Sequence, residues 1–173
     1  MRMSSARVVL LLFVIILGIA FGAGLYESVI VVPRWLAIDT TGALHWNGEA
    51  AIADNTGQRF WVWVSTIPLT LLAGTNLWIA MRRTEGTLRR WWVTAAGLSL
   101  AERAMTFLYF IPVMVGLMGA IDAPEAVASA HRWVNLNYVR HALVLGAWLA
   151  ALRTFGLVQT AKRRPQAYYE AGD

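Results

Sequence analysis

Four long apolar blocks constrain the fold of this chain more than any other feature of its sequence. They cover roughly residues 8–32, 60–81, 91–118 and 134–158. About 20 helical residues cross a hydrocarbon layer of roughly 30 Å, so each block is long enough to span a membrane. Inside that layer every backbone N–H and C=O group needs a partner, which leaves only helices or closed barrels. Because the runs are long and unbroken, the sequence predicts an all-α integral membrane four-helix bundle, one domain over 1–173.

Composition supports this class of protein. Hydrophobic residues make up 58% of the 173 residues and charged residues 14%, whereas soluble domains have about 45–50% and 25%. The chain contains no cysteine, which excludes disulfides, thiolate metal sites and thiol redox chemistry. The lipid bilayer is therefore the expected partner.

The positions of the basic residues predict an orientation. Arg2 and Arg7 precede the first block, the segment 82–90 joins blocks two and three, and the segment 162–164 follows the fourth block. Basic residues collect on the cytoplasmic side of short connections. Four spans with both termini cytoplasmic satisfy this rule, as a multi-pass protein of the cell (inner) membrane. The net charge of +5 is explained by orientation and gives no reason to expect nucleic acid as a partner.

The connections and termini carry further predictions. Residues 34–59 are too apolar for disorder, so we expect an extracytoplasmic cap with room for a short interfacial helix. Pro33 should end the first span because proline cannot extend the helical hydrogen-bond ladder. The segment 163–173 is expected to be a disordered tail. A cleaved signal peptide is the alternative interpretation of the first span.

Small residues in the first span are spaced for close helix packing. Gly18 and Gly22 are four residues apart, as are Ala20 and Gly24. This spacing lets helix backbones approach each other in lipid. We therefore expect Gly22 and Gly24 to lie at a contact between helices.

Charged side chains, whose transfer into lipid costs free energy, lie within the apolar spans. Glu27 and Arg140 each lie about five residues below the same end of their spans, roughly 8 Å deep at about 1.5 Å per residue. Glu102 and Arg103 lie near the middle of the third span. Neighbouring residues on a helix point in different directions, so the sequence predicts that Glu102 and Arg103 seek partners on other helices. By depth, we expect Arg140 to pair with Glu27.

Helical spacing groups the remaining polar residues into faces. The first face runs along span three and the second along span four, while Asn76 lies in the inner half of span two. The two faces consist of Ser99, Glu102, Thr106 and Tyr109, and of Trp133, Asn137, Arg140 and His141.

Two interpretations of these polar residues stay open. Charges at mid-bilayer cost on the order of 3 kcal/mol each, so they should face the bundle interior. They either form ion pairs that hold the helices in register or line a polar pocket in the outer half of the bundle. Five residues would line that pocket: Glu27, Tyr109, Asn137, Arg140 and His141.

A metal or haem site is the weaker interpretation. His131 and His141 are ten residues apart on one helix, about 15 Å along its axis, so they cannot share one ion. The chain also lacks the Glu-x-x-His spacing of carboxylate-bridged metal bundles. We therefore expect no metal and no cofactor.

Three stretches carry a resemblance to a known family: "GLYESVIVVPRW" in the first span, "LLAGTNLW" in the second and "RWVNLNYVRHALVLGAWLAAL" in the fourth. They resemble the anthrone oxygenase-like family of small four-helix membrane proteins, and the most specific piece is Trp133-x3-Asn137-x2-Arg140. The resemblance implies a four-helix bundle and, where members have an assigned activity, oxidation of an aromatic anthrone to a quinone without an obvious cofactor. Asn137 and Arg140 match its last-helix motif and Asn76 its second-helix Asn, whereas His141 and the Glu102–Arg103 pair depart from it.

Three functions follow as hypotheses. The first is a membrane oxidoreductase-like protein that binds or oxidises a small apolar aromatic, phenol-like or quinone-like molecule. Glu27 or His141 would abstract a proton and Arg140 would stabilise the oxyanion; the substrate-binding residues would be Asn137, Tyr109, Glu102, Asn76 and Trp133. The alternative is a non-catalytic accessory or assembly subunit of a larger membrane complex, or a homo-oligomer. A transporter is the third choice, since four helices without a repeat are few for alternating access.

Overall fold

A computed structural model describes the backbone of residues 3–170 and the side chains of residues 5–160. Four of its helices are long and apolar enough to cross a membrane, as the sequence predicts. We call them spans 1 to 4: Ser5–Trp35, Gly57–Arg83, Gly86–Met118 and Pro124–Thr160. Span 1 packs on spans 2 and 4, and span 3 packs on spans 2 and 4, so sequence neighbours run antiparallel around the bundle.

Two spans reach beyond their predicted ends. Helix continues through Pro33 to Trp35, so the prediction that Pro33 ends span 1 is wrong. The last helix covers Pro124–Glu170 and so enters the segment predicted to be a disordered tail. Residues 171–173, and the side chains of that whole segment, lie outside the described part of the chain.

Spans 1 to 3 each contain a π-helical segment, a wider helix with i→i+5 hydrogen bonds. The segments are Glu27–Val31, Gly57–Thr66 and Thr106–Phe110. The flanking α-helices are Met3–Tyr26 and Val32–Trp35 in span 1, Ile67–Arg83 in span 2, and Gly86–Met105 and Ile111–Met118 in span 3. Pro33, Pro68 and Pro112 each lie two residues beyond a π segment. Since proline lacks an N–H and crowds the carbonyl four residues earlier, we attribute the widening to these prolines.

The connection between spans 1 and 2 is partly β-structured. Strands β1 (Leu36–Ile38) and β2 (Leu44–Trp46) form an antiparallel hairpin with Leu36 opposite Trp46, and a short helix covers Gly48–Asp54. Asn47 caps this helix by accepting the N–H of Ala50, as short polar side chains do at helix N-termini. We call this side of the molecule the hairpin end.

Two separate apolar cores fill the bundle. The larger core lies away from the hairpin and includes Leu10, Phe13, Leu69, Trp92 and Ala147, all with at most 1% of their surface exposed. The smaller core, at the hairpin end, includes Trp35, Trp46, Phe110, Leu117 and Trp133. Each span also contributes buried polar residues at a level between the two cores.

Candidate functional site

This polar layer is where the structure places the charges of the spans. It consists of Glu27 on span 1, Ser65 and Thr66 on span 2, Ser99, Glu102, Arg103 and Thr106 on span 3, and Asn137, Arg140 and His141 on span 4. All are buried except Arg140, which is half-buried. Two carboxylates and two guanidinium groups thus share one level of the bundle.

Glu102 and Arg103 neutralise each other within span 3. Arg103 donates from Nε to Oε2 of Glu102 and its Nη2 forms an ion-pair contact with the same oxygen, while Thr106 Oγ1 donates to Oε1 over 2.9 Å. The prediction that each residue seeks a partner on another helix is therefore wrong. Two long side chains can curl toward each other along the helix surface although their Cβ atoms diverge.

The predicted ion pair between Glu27 and Arg140 is also wrong. Within the described side chains, no Glu27 oxygen lies within 4.0 Å of an Arg140 nitrogen. Glu27 instead accepts two hydrogen bonds at Oε1, from Thr56 Oγ1 and from Trp61 Nε1 at 2.9 Å. Arg140 lies against two aromatic rings, 4.8 Å from the centroid of Phe110 and 5.6 Å from that of Trp61. A cation over a ring face is attracted by the ring quadrupole.

Glu27 and Arg140 both open onto one cavity of about 360 Å³. We call it the hairpin-end cavity. Its aromatic walls are Trp35, Trp61, Phe110 and Trp133, and Arg103 contributes a second guanidinium. The other lining residues are Asn55, Thr56, Gly57, Gln58, Val62, Thr66, Thr106, Ile111, Met114, Val115 and Met118.

The π-helical segments build this cavity. Glu27 begins the first segment, Trp61 and Thr66 lie in the second, and Thr106 and Phe110 are the ends of the third. An extra residue per turn widens the helix and shifts the direction of the side chains that follow, and such segments are frequent at functional sites. Polar and aromatic side chains from three spans thereby converge on one volume.

Several polar atoms at this level lack a partner. Arg103 Nη1 is buried without an acceptor, and Oδ1 of Asn137 and Nε2 of His141 are buried without a partner among the described residues. Among the same residues, no donor reaches Oε2 of Glu27 and no acceptor reaches the Arg140 guanidinium. Buried polar groups usually have partners, so this cluster favours a polar ligand group beside the two guanidinium ions.

The other residues predicted for the site lie elsewhere. Asn76 accepts the indole N–H of Trp92 at 2.8 Å and donates to the backbone of Leu72, within the larger core and away from the cavity. Tyr109 packs edge-on against Phe110, with ring centroids 5.3 Å apart. Glu102, Asn137 and His141 lie in the polar layer but do not line the cavity. Of the predicted residues, Glu27, Arg140 and Trp133 line it.

His141 faces a glycine of span 1. A Cβ atom placed on Gly24 would lie 2.6 Å from Nε2 of His141, whereas one placed on Gly22 would meet nothing within 4 Å. Gly24 therefore lies at a helix contact, as predicted, and the same prediction for Gly22 is wrong. The imidazole is enclosed against this backbone, which leaves Glu27 as the proton acceptor of the predicted set that opens onto the cavity.

The sequence analysis did not predict four of the residues that line the cavity: Thr56, Trp61, Arg103 and Phe110. The sequence does carry a signal for them, because an Ile-Pro step within the span follows each of them: Pro68 follows Thr56 and Trp61, and Pro112 follows Arg103 and Phe110. Among the side chains of residues 5–160, no group of three or more His, Asp or Glu is arranged to hold a metal ion. No family model, no curated protein and no solved structure matches this chain.

Proposed function

We propose that the hairpin-end cavity binds a small aromatic molecule with an acidic oxygen, phenol-like or quinone-like, and that the protein oxidises it. One observation carries this proposal: Glu27 and Arg140 line the same aromatic-walled cavity without being paired to each other. Ligand pockets of about this size typically combine apolar walls with a few polar groups. Four aromatic side chains offer stacking surfaces for a planar ring.

The proposed chemistry begins with proton removal. Oε2 of Glu27 would take a proton from an activated C–H or O–H group of the ligand, while the Thr56 and Trp61 donors hold Oε1 in place. The electron pair left behind would spread onto a ring oxygen beside the Arg140 guanidinium. A fixed cation in a water-poor site stabilises such an oxyanion more strongly than water does.

Dioxygen would be the oxidant. The carbanion would add to O₂ and, after protonation, give a hydroperoxide, and loss of water would leave a carbonyl group. In sum a CH₂ group and O₂ become C=O and H₂O, as in the conversion of an anthrone to an anthraquinone. The resemblance of the spans to anthrone oxygenase-like proteins supports this reaction, and Glu27 returns to its carboxylate form by giving its proton to the hydroperoxide or to the departing water.

The test uses 1,8-dihydroxy-9-anthrone with the protein in lipid nanodiscs. We expect quenching of tryptophan fluorescence on binding, and oxygen uptake with quinone absorbance above the spontaneous rate. Glu27→Gln should lower the rate by about 10²–10⁴-fold, the usual contribution of a positioned base. Glu49→Gln, the same change at an exposed residue of the connecting helix, is the matched control. Quenching without oxidation would support binding alone, and no quenching at all would refute the proposal.

The proposal includes a place in the cell. Four apolar spans fit a multi-pass membrane protein, and the basic connections favour the cell (inner) membrane with both termini cytoplasmic and the hairpin connection as an extracytoplasmic cap. A partner subunit that stays bound in stoichiometric amount during purification would favour the alternative role in a larger complex.

A further inference from the structure

Two residues that line the hairpin-end cavity are also exposed on the outside of the bundle. Ile111 and Val115 both line it, and they are also 40% and 66% exposed on the outer surface of span 3. They are four residues apart and therefore lie one above the other on one helix face. The rim of the cavity on span 3 is thus apolar and lies on the surface of an apolar helix.

The helix packing explains why an opening lies here. Spans 2 and 3 pack together over their halves away from the hairpin. At the hairpin end, the π segment Gly57–Thr66 of span 2 packs on span 1, while Ile111–Met118 of span 3 packs on span 4 and on the short helix Gly48–Asp54. The two segments contact each other little. Val62 of span 2 and Ile111 and Val115 of span 3 line the same cavity.

We infer that the cavity is loaded laterally, by a lipophilic ligand dissolved in the bilayer that passes between the hairpin-end halves of spans 2 and 3. We call this opening the lateral portal, bounded by Val62, Ile111 and Val115. The identity of the ligand rests on the proposed function, whereas the route between spans 2 and 3 rests on the geometry alone. An acidic ring oxygen that enters first would reach Arg140, while the apolar remainder of the ligand stays in contact with the portal residues.

The portal is tested with thiol chemistry, because the natural chain contains no cysteine. Thr66→Cys places one thiol on a buried, cavity-lining position, and the side-chain hydroxyl of Thr66 makes no hydrogen bond in the described structure. In nanodiscs, where both membrane faces are accessible, the thiol is treated with N-phenylmaleimide, which partitions into lipid, or with the charged reagent 2-sulfonatoethyl methanethiosulfonate. Each rate is divided by the rate for the unfolded protein.

We expect the lipid-soluble reagent to label the thiol of the Thr66→Cys variant at least about tenfold faster, on this relative scale, than the charged reagent. Adding Val115→Trp should slow the lipid-soluble reagent about tenfold by filling the portal. Val139→Trp, on the exposed face of span 4, is the matched control and should leave both rates unchanged.

Two results would overturn the lateral portal. Faster labelling by the charged reagent, unaffected by Val115→Trp, would place the opening on the aqueous side near Asn55–Gln58. Absence of labelling by either reagent in the folded protein would mean a closed cavity. Neither readout uses the aromatic ligand, so a failure of the proposed function in the anthrone assay stays distinguishable from a failure of the portal.

Discussion

The buried pair of Glu102 and Arg103 gives the sharpest energetic prediction. Arg103 supplies one of the two hydrogen bonds on the Glu102 carboxylate together with an ion-pair contact, and Thr106 supplies the other hydrogen bond. Arg103→Met therefore leaves a buried anion with a single hydroxyl donor, and Glu102→Leu leaves a buried cation whose Nη1 already lacks an acceptor. Removing one partner of a buried pair costs about 3–5 kcal/mol. We expect each single variant to lose about that much free energy of unfolding.

The double variant separates coupling from packing. Replacing a whole buried pair with apolar residues of similar volume is often close to neutral, so Glu102→Leu with Arg103→Met should cost less than about 2 kcal/mol. The two single losses would sum to roughly 6–10 kcal/mol. The expected coupling free energy is therefore at least about 4 kcal/mol. Thr106, deprived of the carboxylate, can donate to a carbonyl of its own helix, as Thr70 does to Thr66.

The assay is equilibrium unfolding in mixed micelles with an increasing fraction of denaturing detergent, followed by tryptophan fluorescence. Arg103→Met combined with Thr154→Val is the control double variant, because Thr154 is buried on span 4 in the half away from the hairpin and bonds to its own helix. Distant sites usually add within about 0.5 kcal/mol. If Glu102→Leu and Arg103→Met were equally additive, the two side chains would not form the pair described above.

Three further predictions concern packing, pH and the cation site. Gly24→Ala should lower the melting temperature, since overpacking costs about 1–3 kcal/mol, while Gly22→Ala should raise or preserve it because alanine is about 1 kcal/mol better in helices; equal shifts would contradict the His141 contact. His45 bonds to Asp122 at 2.7 Å and to Asp39 at 3.2 Å, and these carboxylates raise the pKa of His45 above 6.5, while His45 lowers the pKa of Asp122 below 3.8. Charged His45 therefore contributes fully to the free energy of unfolding below pH 6.5, and this contribution is lost as the pH rises through the raised pKa of His45. Charged Asp122 contributes fully above pH 3.8, and its contribution is lost as the pH falls through the lowered pKa of Asp122. The protection factors of the hairpin amides, which are the intrinsic exchange rate at each pH divided by the observed rate, should therefore be highest between these values and lower at pH 8.5. His45→Gln should remove this alkaline decrease; an unchanged profile of protection factors in that variant would exclude His45 as its source. Trp61→Leu should weaken binding of the aromatic ligand more than Trp63→Leu, as measured by isothermal titration calorimetry. Trp61 lines the cavity and lies against Arg140 in a cation–π contact, which contributes about 0.5–2 kcal/mol. Trp63 lies on the same segment but is 68% exposed.

The sequence predicted depth along the bundle better than direction around each helix. Counting residues from the span ends placed Glu27 and Arg140 at one level, and both line the same cavity. The predicted direction of the Glu27 side chain was wrong because span 1 is π-helical from Glu27 onward. The side chain of Glu27 there bonds to Thr56 and Trp61. The prediction that Gly22 lies at a helix contact was wrong for a related reason. A four-residue spacing identifies small residues on one face of a helix, but it does not say which neighbouring helix that face contacts.

Hydrogen-bond partners that lie outside the regular spans could not be predicted from the sequence, for another reason. Thr56 belongs to the connection between spans 1 and 2, whose conformation follows from the hairpin and from caps such as Asn47, and no helical periodicity describes it. The pairing of Glu102 with its neighbour depends on side-chain torsions, which residue spacing does not determine. The number of spans is confirmed because it depends only on length and hydropathy.

The arrangement of the polar layer has a consequence for how the chain enters a membrane during synthesis. Each charge in a span costs on the order of 3 kcal/mol to insert alone. Glu27 obtains its donors from the segment that emerges next, at Thr56 and Trp61, and Glu102 is neutralised by the residue that follows it. Arg140, the last charge of the layer to be made, finds the rings of Trp61 and Phe110 already in place. Every charge is thus compensated by residues made earlier or in the very next segments, so that the spans can be inserted one after another in the order of translation.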